Sequence, residues 1–408
     1  MLEINFKGSP RMIVGAVVIL LLCWGIIYPC KFLIGVYIDK QNASLKNSRF
    51  GPWGDIVTKD IMIDLPDEFV DIPQGSQTNQ WFFADYTWDR VLDLLKSARL
   101  SDEALHSLIT DTPWSYDRDG IRIMPTDHQI LELSPESRSI LYPTLTGMSA
   151  NSDEKEVICF KPEILEQQLR ESGLSSHSIA LLRRLLYRNP KSPLLIFSDW
   201  KVALRQIPDD AEKRLFIKTL SRKPSLLADI RITPETDISK LANYWGIGGQ
   251  RKDIESFLSS VHQVKSGLDV SLIYLLPPFA RSRLYTYPFP SVDGTSTKQD
   301  CFWTAFNTFN ITPDDQMSEL EYVRKNLERD YYQIFEPQQL GDIILLSIGE
   351  KKVIHAATFI ADDIVFTKNG HDFTQPWVLM RTQDMIDTYA ARFPATTPQM
   401  LYFRKKAI

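Results

Sequence analysis

The chain has 408 residues, with 46 Lys and Arg against 51 Asp and Glu and a formal net charge of -5. At ~100–200 residues per domain this length suggests two or three domains, and 44% hydrophobic with 11% aromatic residues supply more than one core, which excludes bulk disorder. The acidic balance argues against a nucleic-acid partner. The four cysteines neither make a disulfide framework nor reach zinc-ligand spacing, so neither a metal site nor a cofactor is expected.

Met12 to Cys30 carries no charged residue. As a helix it would span ~28 Å, close to the hydrocarbon thickness of a bilayer. Lys7 and Arg11 precede it, Lys31 follows, and Trp24 and Tyr28 suit an interfacial belt. With no small-x-small cleavage site after it, the stretch reads as an uncleaved anchor in the lipid bilayer. The expected order is an N-terminal tail (1–11), a single-pass anchor (12–30) and a polar linker (31–75). Lys and Arg number two before the span and four in the twenty residues after it, so the positive-inside rule leaves its orientation open.

Residues 76–280 read as a mainly helical α+β region of unassigned role. Apolar periodicity predicts helices over Pro162 to Ser172, His177 to Tyr187, Asp209 to Ser221, Ile238 to Trp245 and Asp253 to Val264. Ser134-Pro135 forms an N-cap and N1 pair. Brief strands are expected at Ile121 to Met124, Leu194 to Phe197 and Val270 to Tyr274. His106, His128, His177 and His262 stand alone and read as structural. Glu163, Glu166 and Arg170 make a solvated helix face, Gly246 to Gly249 a loop, and Cys159 a buried core thiol.

From 281 to 408 the texture changes. A helix opens at Asp300-Cys301, and a second, amphipathic one runs from Ser318 to about Arg329. Strands follow at Asp342 to Ile348, Val353 to Ile360, Ile364 to Lys368, Trp377 to Arg381 and Met400 to Arg404. The short turns at Gly349-Glu350 and Asp362-Asp363 imply an antiparallel sheet. A cysteine at a helix N-terminus is favoured as a thiolate by the helix dipole and free N–H groups. His355, on the second strand, is the candidate base, with its side chain expected to face the helix. Thr367 and Asn369 project to one face and are candidates to orient the imidazole, with Lys368 pointing the other way.

The ordered set Asp300-Cys301, Gly341-Asp342-Ile343-Ile344 and His355 to Asp363 resembles the NlpC-type papain-like cysteine peptidases. The resemblance covers about Tyr285 to Ile408. It implies an α+β papain-like domain over 281–408, with Cys301 as nucleophile and His355 as base. The third role matches Thr367 in an ungapped alignment, and Asn369 offers the better acceptor; His371 is a weaker candidate. Many members cleave bacterial cell-wall peptides, notably after a D-glutamyl residue. Phe302-Trp303 replaces the family's usual Ser-Gly after the cysteine, and the second histidine of many members is absent.

The function expected first is therefore a membrane-anchored cysteine hydrolase acting on a peptide or amide bond, with cell-wall peptide implied by the resemblance and the body extracytoplasmic. The alternatives are an inactive membrane-tethered binding or scaffold protein, docking a protein partner through its middle region, and a Cys/His acyl or amide transferase.

Overall fold

A computed structural model describes residues 45–47 and 51–406, apart from the short segments 74–77, 149–150, 152–156, 190, 290–297, 338, 350–351 and 394–395. The chain is α+β, and its strand pairings are antiparallel.

A four-stranded sheet has the order β1 (Leu45–Asn47), β2 (Asp55–Ile63), β9 (Lys223–Ile232), β10 (Leu268–Ser271). The stretch read as a linker thus contains a nine-residue strand, paired along its whole length with β9. Its polar composition conceals this. Ile56, Thr58 and Ile63 are the buried positions, and a buried threonine interrupts the apolar alternation.

Between β2 and β9 lie two small three-stranded sheets with their helices. One contains β3 (Trp81–Ala84), β4 (Trp114–Asp117) and β5 (Gly120–Ile123). The other contains β6 (Ile158–Phe160), β7 (Tyr187–Arg188) and β8 (Leu195–Phe197). Four helices accompany the first: α1 (Trp88–Ser97), α2 (Asp102–Thr110), α3 (Asp127–Leu131) and α4 (Pro135–Thr146). The second carries α5 (Pro162–Glu171), α6 (Ser176–Leu185), α7 (Trp200–Gln206) and α8 (Asp210–Ser221). Local chemistry sets many of these starts. Thr87, Ser101, Thr126, Ser134, Ser175 and Asp209 each accept a backbone N–H in the first helical turn. Beneath them Arg138, fully buried, donates to Asp199 at 2.7 Å, while Tyr142 donates to the other carboxylate oxygen at 2.7 Å.

Helices α9 (Ile238–Trp245), α10 (Arg251–His262) and α11 (Pro278–Arg283) lead into the carboxy-terminal half. There α12 (Cys301–Asn307) and α13 (Leu320–Asp330) precede a six-stranded sheet ordered β11 (Tyr331–Ile334), β16 (Gln399–Lys405), β12 (Ile343–Ile348), β13 (Lys352–Ala361), β14 (Ile364–Lys368), β15 (Trp377–Arg381). Helix α14 (Thr382–Arg392) follows β15 directly. One core joins Leu226, Trp245 and Phe279 to Trp303, Leu345 and Phe366, so side chains from before and after residue 280 pack together. Polar contacts reinforce that seam: Tyr244 donates to the Ile360 carbonyl at 2.7 Å, and the Ser225 hydroxyl lies 3.1 Å from both the N–H and the carbonyl of Leu379.

The expected membrane-spanning helix requires a correction. Met12 to Cys30 lies outside the described residues, and among the described residues no helix is long and apolar enough to cross a membrane. The longest, such as α4, α8 and α10, have 12 residues and extend ~18 Å, well short of a ~30 Å hydrocarbon layer. The described residues form an α+β fold with antiparallel sheets, and no helix among them spans a membrane.

Candidate active site

Asp300 caps α12, its carboxylate accepting the Trp303 N–H at 2.8 Å, so Cys301 opens a helix as the sequence implies. All seven residues of the helix are buried. It lies against β13 at two small residues, Ala356 and Thr358. The Thr358 hydroxyl donates to the Ala305 carbonyl at 3.2 Å and meets the Thr308 hydroxyl at 2.8 Å. From β15, Trp377 donates to the Thr304 hydroxyl at 3.0 Å. Small side chains let the helix backbone approach the strand, and that fixes which face of β13 it covers.

The consequence for His355 follows from strand alternation. Ala356 and Ile360 share a core with Cys301, whereas Ala357 and Phe359 pack with Leu346, Met385 and Tyr389 on the opposite face. His355 pairs with Leu346 in the ladder and belongs to that second face. Its ring stacks on Tyr389 at 4.3 Å and 28°. The expectation that His355 faces the catalytic helix is therefore corrected: Cys301 and His355 lie on opposite faces of the sheet, and no hydrogen bond joins them.

Each polar atom around His355 has a partner. Nδ1 lies 2.7 Å from the Tyr389 hydroxyl, Nε2 lies 3.0 Å from Thr367 Oγ1, and Thr367 donates to the Ala356 carbonyl at 3.0 Å. A threonine has one hydroxyl proton. Because it goes to the carbonyl, Nε2 must carry the ring proton and Nδ1 must accept from Tyr389. His355 is fully buried, and burial, with Arg392 nearby, pushes its pKa down to about 3. Burial raises that of Tyr389, so its hydroxyl stays protonated. The result is a closed, neutral network whose basic lone pair is already occupied.

On the helix face the surroundings of Cys301 are different. Burial, followed by the neighbouring Asp300 carboxylate, pushes its thiol up to about 12; the Ala356 backbone and Lys368 oppose that shift only in part. The thiol is therefore protonated at neutral pH. Lys368 pairs with Trp377 in the ladder and so faces α12, not away from it as expected. It is fully buried, donates to the carbonyls of Gly370 and Asp372 at 2.7 Å each, and is pushed down to about 8 by desolvation.

Of the other candidates, Thr367 is brought to His355 and Asn369 is not. The Asn369 amide donates to Met380 sulfur at 3.7 Å, and its carbonyl oxygen is buried without a partner. His371 is exposed in the loop beyond β14. Gly341 has φ +96°, and a Cβ there would sit 2.5 Å from the Phe309 ring, which requires glycine. Asp342 beside it binds Arg404 through both carboxylate oxygens, at 2.8 and 2.7 Å, tying β12 to β16. Trp303 fills the core and donates to Asp315 at 3.1 Å.

Two residues of these clusters escaped sequence reasoning. Tyr389 lies on α14, outside the helices that periodicity predicts, and Lys368 faces α12, opposite to the face the sequence implies. A strand phase set by Trp377 and Phe366, both apolar and in register with the helix face, would have found Lys368. Among the described residues no group of three His, Cys, Asp or Glu side chains could hold a metal ion. Compared with protein-family models, curated proteins and solved structures, the chain matches none of them.

Proposed function

We propose that this chain is a non-catalytic binding protein, in which the Cys301 and His355 clusters stabilise the carboxy-terminal sheet instead of cleaving a substrate. One observation carries the reading. His355 is directed away from Cys301, with both ring nitrogens engaged. A cysteine hydrolase needs an accepting imidazole nitrogen within hydrogen-bond reach of the thiol. The protonated state of Cys301 agrees with this reading. Trp114 and Tyr116, exposed on the middle region, supply apolar surface for a protein partner.

The hydrolase reading has one observation in its favour. Cys301 opens a capped helix beside a buried lysine whose pKa is lowered, and a neutral lysine can accept a proton. The two readings separate in one experiment. The full chain and its Cys301→Ala variant are incubated with digested bacterial cell wall, and the products are read by mass spectrometry. No new fragments from either protein is the expected result. Fragments made by the parent and absent with Cys301→Ala would overturn the binding reading and restore a peptide or amide hydrolase.

A further inference from the structure

The small sheet of β3, β4 and β5 carries an aromatic cluster that the carboxy-terminal clusters leave unexplained. Trp114 and Tyr116, two residues apart on β4, share one face of the strand. They are 44% and 61% exposed, which is costly for side chains of this size unless something covers them. Trp88, at the start of α1, stacks on Trp114 with ring centroids 4.7 Å apart and planes at 18°. Tyr116 stands against Trp114 at 5.5 Å and 79°. The three rings therefore form a stacked wall with a second wall nearly perpendicular to it.

The charge of this unit is mixed but net negative. Residues 81–119 contain eight acidic side chains against four basic ones. Asp85, Asp89, Asp111 and Asp119 are exposed within three residues of Tyr86, Trp88, Trp114 or Tyr116, against the two exposed cations Arg90 and Arg118, and the Asp85 N–H bonds the Asp119 carbonyl at 2.9 Å, bringing the two ends of the unit together. The same unit already places a cation on an aromatic face, with the Arg90 guanidinium 4.0 Å from the centre of the Tyr86 ring.

We propose that the Trp88–Trp114–Tyr116 corner is the docking site for a basic protein segment, which inserts a Lys or Arg side chain against the rings while the surrounding aspartates attract its charge. Aromatic faces carry negative potential and bind ammonium and guanidinium groups, and the acidic surroundings add attraction that salt screens. A neutral sugar ring is the competing occupant. It calls for a flat, open face, whereas these rings meet at a corner and one face of Trp114 is already covered by Trp88. The inference deepens the proposed function and rests on its binding reading; its test is separable from the cell-wall experiment, because the corner is remote from Cys301 in the chain and is present whether or not that thiol reacts.

The test is fluorescence anisotropy of a labelled hexa-arginine peptide titrated with the full chain, with labelled hexaglutamate and a neutral chito-oligosaccharide as parallel probes. Binding of hexa-arginine alone is expected, weakening as salt is raised. Tyr116→Ala should bind about three- to fivefold more weakly and Tyr116→Phe should bind like the parent, because the ring and not the hydroxyl makes the contact. Trp114→Ala should cost about tenfold. Tyr116 is mostly solvent-exposed, so its variants keep the test decisive if Trp114→Ala misfolds. Hexa-arginine binding no tighter than hexaglutamate, or unchanged in Tyr116→Ala, overturns the proposal. So does oligosaccharide binding with the same dependence on Tyr116.

Discussion

The two faces of the carboxy-terminal sheet bury polar groups in opposite ways. On the α14 face, His355, Thr367 and Tyr389 form a neutral chain of hydrogen bonds that ends on the Ala356 carbonyl. On the α12 face, Asp300, Cys301 and Lys368 bring ionisable groups together, and burial shifts each one towards its neutral form. Both clusters hang on β13 and β14, one residue out of phase with each other. A one-residue step along a strand thus separates a thiol from an imidazole that the linear order would pair. Residues ordered as a catalytic set do not make a site unless strand phase also brings them to one face.

The sharpest way to break this comparison is to remove His355. His355→Ala would leave the Tyr389 and Thr367 hydroxyls without their partner and open a cavity at a fully buried position. The expected loss is about 3 kcal/mol in urea denaturation. If His355 were a solvent-reached catalytic base, the same substitution would abolish activity with little change in stability. An equilibrium midpoint close to that of the parent would sink the structural role assigned here.

The acid limb of stability carries the next effect. Folded His355 stays neutral down to about pH 3, whereas an unfolded histidine takes up a proton near 6.5. A group with a lowered folded pKa contributes stability that is present above 6.5 and is lost as the pH falls towards 3. By pH 5 the expected loss is about 2 kcal/mol, read as the difference between the parent and His355→Gln in denaturation at pH 7 and pH 5. Equal acid sensitivity in the two proteins would mean that the imidazole is hydrated.

The α12 face answers in the alkaline direction. Lys368 releases its proton near pH 8 when folded and at 10.5 when unfolded, so stability rises between those values as the unfolded chain holds the extra proton. The clean window is pH 8 to 9. Above it Cys301 acts in the opposite direction, because it ionises at 9.0 when unfolded and only near 12 when folded. Lys368→Met should remove about 1 kcal/mol of the rise across that window. Lys223, also lowered to about 8 by burial, supplies the remainder. A rise identical to that of the parent would place Lys368 in solvent.

Much of the frame was legible locally. The strands Ile364–Lys368 and Trp377–Arg381 and the helix Ile238–Trp245 have the bounds that periodicity implies. The helix expected to open at Asp300-Cys301 does so, with Asp300 as its N-cap. What the sequence did not disclose was non-local. Thr58 and Asp60 interrupt the apolar alternation of β2, which is held by its pairing with β9 far along the chain. Helix α14 begins directly after β15 with Arg381 as its N-cap and no capping hydrogen bond from a side chain, so no start signal marked it. Without α14 there was no Tyr389 to claim His355, and the histidine appeared free. The face of β13 that α12 covers depends on Ala356 and Thr358 being small enough to admit the helix, a packing choice that alternation alone leaves open.

The smallest effect belongs to Cys301 itself. If its thiol only fills core space, Cys301→Ala removes one sulfur from a packed site and should cost about 0.5 kcal/mol, far less than His355→Ala. The asymmetry between the two variants is the prediction, because a working dyad would make them equivalent in activity and similarly mild in stability. Chemical labelling sharpens it. With a thiol 5% exposed and pushed up to about 12, iodoacetamide at pH 7.5 should modify Cys301 only after denaturation, as judged by mass spectrometry of its peptide. The thiolate is the reactive form, so native-state labelling within minutes would require a lowered pKa and an open path from solvent. The two conditions together would make the α12 face a reaction centre, with Lys368, whose charge already acts on the thiol, as a candidate base.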